Sequence, residues 1–149
     1  MLDDRWAAGF FEGEGTVRIN NPLKRTLGHL VVSIVNTDKS LIDGFIQKWN
    51  GTIHSATGLR PDQRPAWVWI IVARQAVPFL EAILPYIVSP RQRKRIQLGL
   101  EYQRQKHHGG KWITDEYREQ QFSYWLQMRE LNVRGNRSPK SDQFSSPHH

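Results

Sequence analysis

The sequence predicts an α+β domain in which a four-stranded antiparallel sheet carries helices on one face. Two pairs of short segments alternate in hydrophobicity, and amphipathic helical segments flank each pair. The order is α-β-β-α-β-β-α followed by further helix, which is typical of this fold class. The 149 residues are close to the size of one domain, and 38% of them are hydrophobic, which is enough for one core.

The first half of the chain predicts a helix and a hairpin. Apolar residues at helical spacing predict a helix over residues 2–11, and two aspartates lie in its first turn, where the helix dipole favours them. The acidic turn 12–15 follows, and its glycines permit unusual backbone angles. Alternation then predicts strands over residues 16–20 and 29–35, joined by the basic turn 21–25.

The second half predicts another helix and hairpin, followed by helices. A helix-start signal at residues 36–38 precedes an amphipathic helix that ends at Asn50-Gly51. Alternating segments predict a second hairpin, formed by residues 52–57 and 66–72. Apolar periodicity predicts three further helices, over residues 77–84, 90–105 and 114–131. We expect residues 1–136 to form the domain and the Ser-, Pro- and Lys-rich residues 137–149 to form a disordered tail.

The composition favours a polyanionic partner. Lys and Arg number 21 against 14 Asp and Glu, so the net charge is +7. The absence of cysteine excludes disulfides, thiolate metal sites and a cysteine nucleophile, and fits an intracellular, reducing compartment, the cytoplasm or an organelle. No apolar run approaches ~20 residues and the first residues are acidic, so we expect neither a membrane span nor a signal peptide.

A short motif connects the first helix to the first strand. In Ala8-Gly9-Phe10-Phe11-Glu12-Gly13-Glu14-Gly15, two glycines stand four residues apart on one helix face, and a carboxylate ends the helix. This segment resembles the motif of the LAGLIDADG homing endonucleases position by position. Ala7 stands where the family usually has Leu, and Glu14 replaces the usual final Asp but remains a metal ligand.

The resemblance extends over roughly residues 2–136. Residues 32–53 resemble the second strand and following helix of the family, residues 84–100 resemble a later helix junction, and residues 131–135 resemble a common ending. The resemblance implies a saddle-shaped sheet, αββαββα topology and, because the sequence holds one motif, a homodimer. The implied dimer interface lies on the motif helix and includes Ala8, Gly9, Glu12 and Gly13.

The resemblance also implies the chemistry of the site. Two Glu14 carboxylates near a two-fold axis would repel each other unless a cation bridges them. Mg²⁺, or another divalent cation such as Mn²⁺, would be bound by Glu14 and the Gly13 carbonyl, and would activate water. Supporting catalytic residues are expected just after the second strand, at Asn36 or Thr37, and in the later basic run, at Arg91 or Lys94.

Simpler interpretations of these supporting residues stay open. Asn36 would serve equally well as a helix cap, and the basic run could bind phosphate or merely form a solvated helix start. The outward residues of the strands and the basic loops are the expected DNA contacts, although the direction of the two tryptophans is open. These candidates are Thr16, Arg18, Asn20, Lys24, Arg25, His29, Ser33, Arg60, Arg64, Trp67, Trp69 and Arg93.

The sequence therefore predicts a site-specific endonuclease that makes double-strand breaks at a long, pseudo-palindromic DNA site. One alternative is a maturase of the same fold that binds intron RNA, and another is a DNA-binding regulator that does not cleave. A third is an unrelated basic α+β domain. Glu12 and Glu14 together favour an enzyme, because a module that only binds DNA needs no carboxylate facing phosphate.

Overall fold

The computed structural model describes residues 3–20, 28–56, 62, 64–106 and 114–136. Within these ranges the chain forms five α-helices and four strands, in the order expected from the sequence. Their bounds are α1 Asp4–Glu14, β1 Gly15–Ile19, β2 Leu30–Asn36, α2 Lys39–Trp49, β3 Thr52–Ser55, β4 Trp67–Val72, α3 Ala76–Ile83, α4 Pro90–Gln105 and α5 Asp115–Asn136. Short 3-10 turns precede and follow α3, at Ala73–Gln75 and Leu84–Tyr86.

The four strands form one antiparallel sheet in the order β1-β2-β4-β3. Gly15 pairs with Ile34 between β1 and β2, and Ser33 pairs with Ile70 between the two central strands. Because side chains alternate between the faces of a strand, this register places Val17, Val32 and Ile71 on one face. That face packs against the helices, so the predicted α+β architecture is confirmed.

The core lies between the sheet and the helices. Aromatic rings from four elements meet there, and the Phe79 ring lies edge-on to Phe11, Phe45 and Trp69 at centroid distances of 5.0–6.1 Å. Trp69 is fully buried, and its indole N–H donates to the Asn50 carbonyl at 2.6 Å, which satisfies its polar atom. None of the described helices is long and apolar enough to cross a membrane.

Local signals set the helix ends. Asp3 caps α1 by accepting from the Trp6 N–H, Asp38 caps α2 through the Ser40 N–H, and Ser89 caps α4 through the Gln92 N–H. The first helix continues through Gly13 to Glu14, three residues beyond the predicted end. Gly15 then starts β1 with its Cα against the Phe11 ring, where an added Cβ would lie 2.1 Å from the ring.

Candidate active site and nucleic-acid interface

Glu14 is the last residue of α1 and immediately precedes the edge strand β1. Its side chain is exposed, and within the described residues it makes no hydrogen bond or ion pair. The last turn of α1 contains no basic residue, so the negative end of the helix dipole is not compensated locally. A free carboxylate at this helix end attracts cations.

The donor atoms at this helix end fit a hard divalent cation. The last four carbonyls of a helix lack intrahelical partners, so the Gly13 carbonyl is available beside the Glu14 carboxylate. Mg²⁺ prefers such oxygen ligands and commonly completes its coordination with water and phosphate. Among the described residues, no three acidic or histidine side chains form a metal-binding group. One copy of this site therefore offers two ligand residues, Glu14 and Gly13.

Helix α4 supports the same junction from inside the protein. The Gln92 amide N–H donates to the Phe11 carbonyl at 3.2 Å and to the Gly15 carbonyl at 3.4 Å. The Arg95 guanidinium also donates to the Gly15 carbonyl, at 3.2 Å. Both side chains are buried. Together they fix the residue that follows Glu14 and cover the outward edge of β1, which would otherwise be unpaired.

Arg95 is charged although it is 5% exposed. Burial, assisted by the nearby Arg91 charge, lowers the pKa of Arg95 to about 10, so the guanidinium remains protonated at neutral pH. Its Nε atom and the Gln92 Oε1 atom have no hydrogen-bond partner among the described residues. Sequence reasoning missed Gln92 and Arg95 as site residues, because their helix positions become informative only once α4 is seen to cross the end of α1.

Glu12 serves its own chain. Its carboxylate accepts from the backbone N–H groups of Val88 at 2.7 Å and Ser89 at 3.0 Å, at the start of α4. The prediction that Glu12 lies in a dimer interface is revised, since its carboxylate is engaged internally. Glu12 therefore gives no support for enzymatic activity, and that argument rests on Glu14 alone.

The outward face of α1 includes two glycines. Gly9 and Gly13 are exposed, and an added Cβ at either would meet no atom within 4 Å. Ala8 was also predicted for a dimer interface, but it is 0% exposed. The reason is helix phase, since residues 7, 8 and 11 face the core while residues 9 and 13 face away. The face of α1 that is available for a dimer interface is thus narrower than predicted.

Asn36 ends β2, and its side-chain oxygen accepts from the Asp38 N–H at 2.8 Å. This bond shapes the turn into α2, whereas the helix cap itself is Asp38. Asn36 therefore stabilises the turn that precedes α2, but it is not the helix cap that was expected, because the cap is Asp38, two residues later. A catalytic role for Asn36 or Thr37 stays a prediction.

The basic run of α4 divides between two helix faces. Arg91 donates to the Leu131 carbonyl of α5 at 3.5 Å, and Lys94 lines a cleft of about 430 Å³ between α4 and α5. Neither cation forms an ion pair or hydrogen bond with Glu14 in the described part of the chain. Their catalytic roles stay predictions. Arg93 is half-buried, and its guanidinium donates to the Leu84 and Ile87 carbonyls at 3.1 Å, which revises its assignment to DNA.

The other face of the sheet carries no helix in the described structure. We call it the open face, and it consists of the outward positions of all four strands. These are Thr16, Arg18, Val31, Ser33, Val35, Thr52, His54, Val68, Ile70 and Val72. Thr16, Arg18 and Ser33 were predicted here from their alternation, and they occupy paired or neighbouring positions in the register.

The two tryptophans of β4 do not belong to the open face. Trp69 is 0% exposed, and Trp67 is partly buried against the core. Both therefore face the helices. Trp69 is not available to DNA, and a DNA contact by the partly exposed Trp67 stays a prediction. Large aromatic rings gain more from burial than Val68, Ile70 and Val72, which point outward instead. The alternation of β4 is clear in the sequence, but both of its faces are apolar, so alternation alone does not give the direction.

Other residues that were predicted to contact DNA lie near the ends of the strands or outside the described residues. Asn20 and His29 are exposed beyond the ends of β1 and β2, and the Asn20 N–H donates to the His29 carbonyl at 2.9 Å. Sequence reasoning missed Lys106, whose ammonium lies 3.4 Å from His29 Nδ1 and donates to the Gly28 carbonyl. Arg64 is exposed before β4. Lys24, Arg25, Arg60 and residues 137–149 lie outside the described residues.

Comparison with known proteins identifies solved structures of the same fold. An archaeal intron-encoded homing endonuclease complexed with DNA, I-Vdi141I, is 12% identical, with a TM-score of 0.70 over 94% of this chain and 90% of its own. The homing endonuclease I-CvuI, in complex with its target in the presence of 2 mM Ca, is 15% identical, with a TM-score of 0.62 over 91% and 83%.

A third structure is matched over part of its length. The LAGLIDADG meganuclease I-AabMI, bound to uncleaved DNA, is 16% identical, with a TM-score of 0.63 over 83% of this chain and 44% of its own. No model of a protein family matches the sequence, and no curated protein sequence does. The fold expected from the motif is confirmed, and the chain has the fold of the LAGLIDADG homing endonucleases.

Proposed function

We propose that this chain is a site-specific endonuclease that acts as a homodimer on double-stranded DNA. It hydrolyses one phosphodiester bond in each strand of a long, pseudo-palindromic site, with Mg²⁺ or another divalent cation such as Mn²⁺. The observation that carries the proposal is the Glu14 carboxylate. It is exposed at the end of the motif helix, without a protein partner in the described chain, beside a sheet face that no helix covers.

The metal would be held by the Glu14 carboxylate and the Gly13 carbonyl. A bound divalent cation lowers the pKa of a coordinated water and stabilises charge on the reacting phosphate. Gln92 and Arg95 bind the carbonyl of Gly15, the residue that follows Glu14. These bonds would hold the Glu14 carboxylate, and with it the metal site, in a fixed position. The buried Arg95 charge also adds positive potential beneath a site that binds phosphate.

Dimerisation would complete the site. The open positions at Gly9 and Gly13 allow two copies of α1 to approach to backbone contact. Trp6, Tyr86 and Val88 are exposed, at 41%, 42% and 80%, on and near this helix, and their burial would stabilise the association. A two-fold axis along α1 would bring two Glu14 carboxylates together, one for each DNA strand.

DNA would bind on the open face. Arg18 projects there, and the strands contain no acidic residue. The DNA complexes of I-Vdi141I and I-CvuI support duplex DNA as the class of partner for this fold. The net charge of +7 supports the same conclusion, since a phosphate backbone attracts a basic domain over long range.

The decisive experiment is cleavage of a random duplex library in Mg²⁺, comparing the native chain with Glu14→Gln. The substitution keeps the size of the side chain and removes its charge, so we expect cleavage to fall by about 10³-fold or more while duplex binding survives. Glu119→Gln is the matched control, because Glu119 is also exposed but lies on α5.

Each other outcome identifies a different protein. Cleavage by Glu14→Gln at the native rate would refute the active-site assignment. Duplex binding without cleavage by the native chain would identify the non-cleaving regulator. Selective binding of structured RNA over duplex DNA would identify the maturase.

A further inference from the structure

The centre of the open face is apolar. Apart from Val31, which is buried, the apolar outward residues of the two central strands are Val35 from β2, and Val68, Ile70 and Val72 from β4, which we call the apolar patch. Val31 pairs with Val72, and Val35 pairs with Val68. Val35 and Val72 are 43% and 39% exposed, Val68 and Ile70 are partly exposed, and none of the four belongs to the core cluster beneath the sheet.

Polar and basic side chains border the apolar patch. Arg18 lies opposite Val31, and His54 lies opposite Val68, on the two outer strands. The four strands contain no aspartate or glutamate. An apolar centre bordered by an arginine and polar side chains fits a partner that presents apolar groups between two rows of anions, which is the arrangement in the major groove of DNA.

We propose that the apolar patch recognises thymine methyl groups, so that the preferred DNA site carries A·T pairs beneath the centre of each sheet. This inference rests on the proposed function. The C5-methyl of thymine is the apolar group that base pairs display in the major groove. Valine and isoleucine offer no donor or acceptor, so a cytosine amino group placed against them would lose its hydrogen bond to water without replacement.

The dimensions of the apolar patch agree with this partner. Val68 and Val72 are four residues apart on β4, which corresponds to about 13 Å along the strand. Base pairs repeat every ~3.4 Å along a duplex, so the patch covers about four steps. Duplex RNA is a poor fit, since its major groove is deep and narrow and uracil lacks the methyl group.

The test uses duplexes selected for binding from a random library by Glu14→Gln, so that cleavage does not interfere. Each thymine of the selected site is then replaced singly by deoxyuracil, which removes the methyl group and keeps the base pair. We expect affinity to fall about fourfold at each position beneath the apolar patch, the value for one buried methylene-sized group. Thymines elsewhere in the site should show no change.

Two variants assign the effect to the apolar patch. Val35→Thr and Val72→Thr keep the side-chain size and strand propensity, and replace a methyl by a hydroxyl. Each should reduce the difference between thymine and deoxyuracil at its own position, because one of the two methyl groups that face the thymine is lost. Val133→Thr is the matched control, because Val133 is also 39% exposed but lies on α5.

The two proposals fail in different ways. If Glu14→Gln retains no duplex from the library, the proposed function fails. If duplexes are retained but deoxyuracil is tolerated at every position, or the variants discriminate as the native chain does, the thymine proposal is overturned. It is also overturned if Val35→Thr abolishes self-association and leaves DNA selection intact, because the apolar patch would then bind a second copy.

Discussion

The two sides of the C-terminal end of α1 differ in how many of their polar groups already make hydrogen bonds within the protein. On the side facing α4, the Glu12 carboxylate and the Phe11 and Gly15 carbonyls all accept hydrogen bonds from α4 or from the residues that begin it. On the other side, a Cβ added at Gly9 or Gly13 would meet no atom within 4 Å, and Glu14 makes no hydrogen bond or ion pair within the described residues. One short segment thus combines a fixed inner side with a free outer side.

This difference separates stability from function within a single motif. Hydrogen bonds on the inner side hold the helix end in place, and the open positions on the outer side are where the proposed second copy, cation and DNA would bind. A binding group attached to a supported, rigid helix end is positioned more accurately than one on a loop. Substitutions on the inner side should therefore lower stability and leave function largely intact, and substitutions on the outer side should do the reverse.

Gly13→Leu should have the largest effect on the outer side. A leucine at each copy of this position would overpack a symmetric helix contact, at a cost of ~1–3 kcal/mol per copy. We expect the dimer dissociation constant to rise by about 30-fold or more, measured by light scattering over a concentration series. The fold itself should survive, because an added Cβ at Gly13 meets nothing within 4 Å.

Gly99→Leu on α4 supplies the contrast in the core of the protein. A Cβ there would lie 2.9 Å from Leu30 and 3.2 Å from Val17, so this variant should lose thermal stability instead of self-association. A native chain that is monomeric and still cuts both strands would break the comparison, since the outer side of α1 would then need no partner.

Glu12→Gln should have the next largest effect, and on stability. In glutamine an NH2 donor replaces one carboxylate oxygen, so it would face the N–H of Val88 or of Ser89 in place of an acceptor, and the charge is lost. Hydrogen bonds to charged groups contribute about 1.5–3 kcal/mol, and we expect the free energy of unfolding in urea to fall by about 2 kcal/mol. Glu14→Gln should change it by less than about 0.5 kcal/mol.

Cleavage should show the reverse order for the two glutamates. Glu12→Gln should retain most activity under conditions in which it is folded, and Glu14→Gln should lose it. Equal losses of stability in the two variants would mean that Glu14 is also a structural group, and the separation between the two sides of α1 would not hold.

Much of the fold is predictable because its signals are local. Alternation identifies all four strands, Pro90 marks the first residue of α4, and Asp38 and Ser89 occupy helix caps. The direction of β4 is different, because tryptophans alternate with aliphatic residues and both faces are apolar. Burial beside Phe45 and Phe79 decides it, and that depends on how α2 and α3 pack.

The site is less predictable than the fold for the same reason. Glu14 stands within a motif, so sequence alone locates it. Gln92 and Arg95 are 77 and 80 residues from Gly15 in the chain, and only the crossing of α4 over α1 brings them together. The basic run likewise gives no indication that Arg93 bonds to carbonyls within its own chain while Arg91 reaches α5.

The smallest expected effect compares Arg18 with Arg93 in DNA binding. Arg18 lies on the open face, and its guanidinium can pair with a guanine edge in the major groove. Arg18→Ala should therefore cost about 1–3 kcal/mol at one base pair of the selected site and change which bases are tolerated there. Site-selection profiles of the variant and the native chain measure this.

Arg93→Ala should leave both the base profile and the salt dependence unchanged. Its guanidinium is half-buried and donates to the Leu84 and Ile87 carbonyls, so the expected loss is in stability, at about 1 kcal/mol. A phosphate contact would instead reduce the slope of log affinity against log salt by about 0.9. Such a reduction in Arg93→Ala would show that this arginine leaves its internal bonds to bind DNA, and would place the start of α4 within the DNA interface.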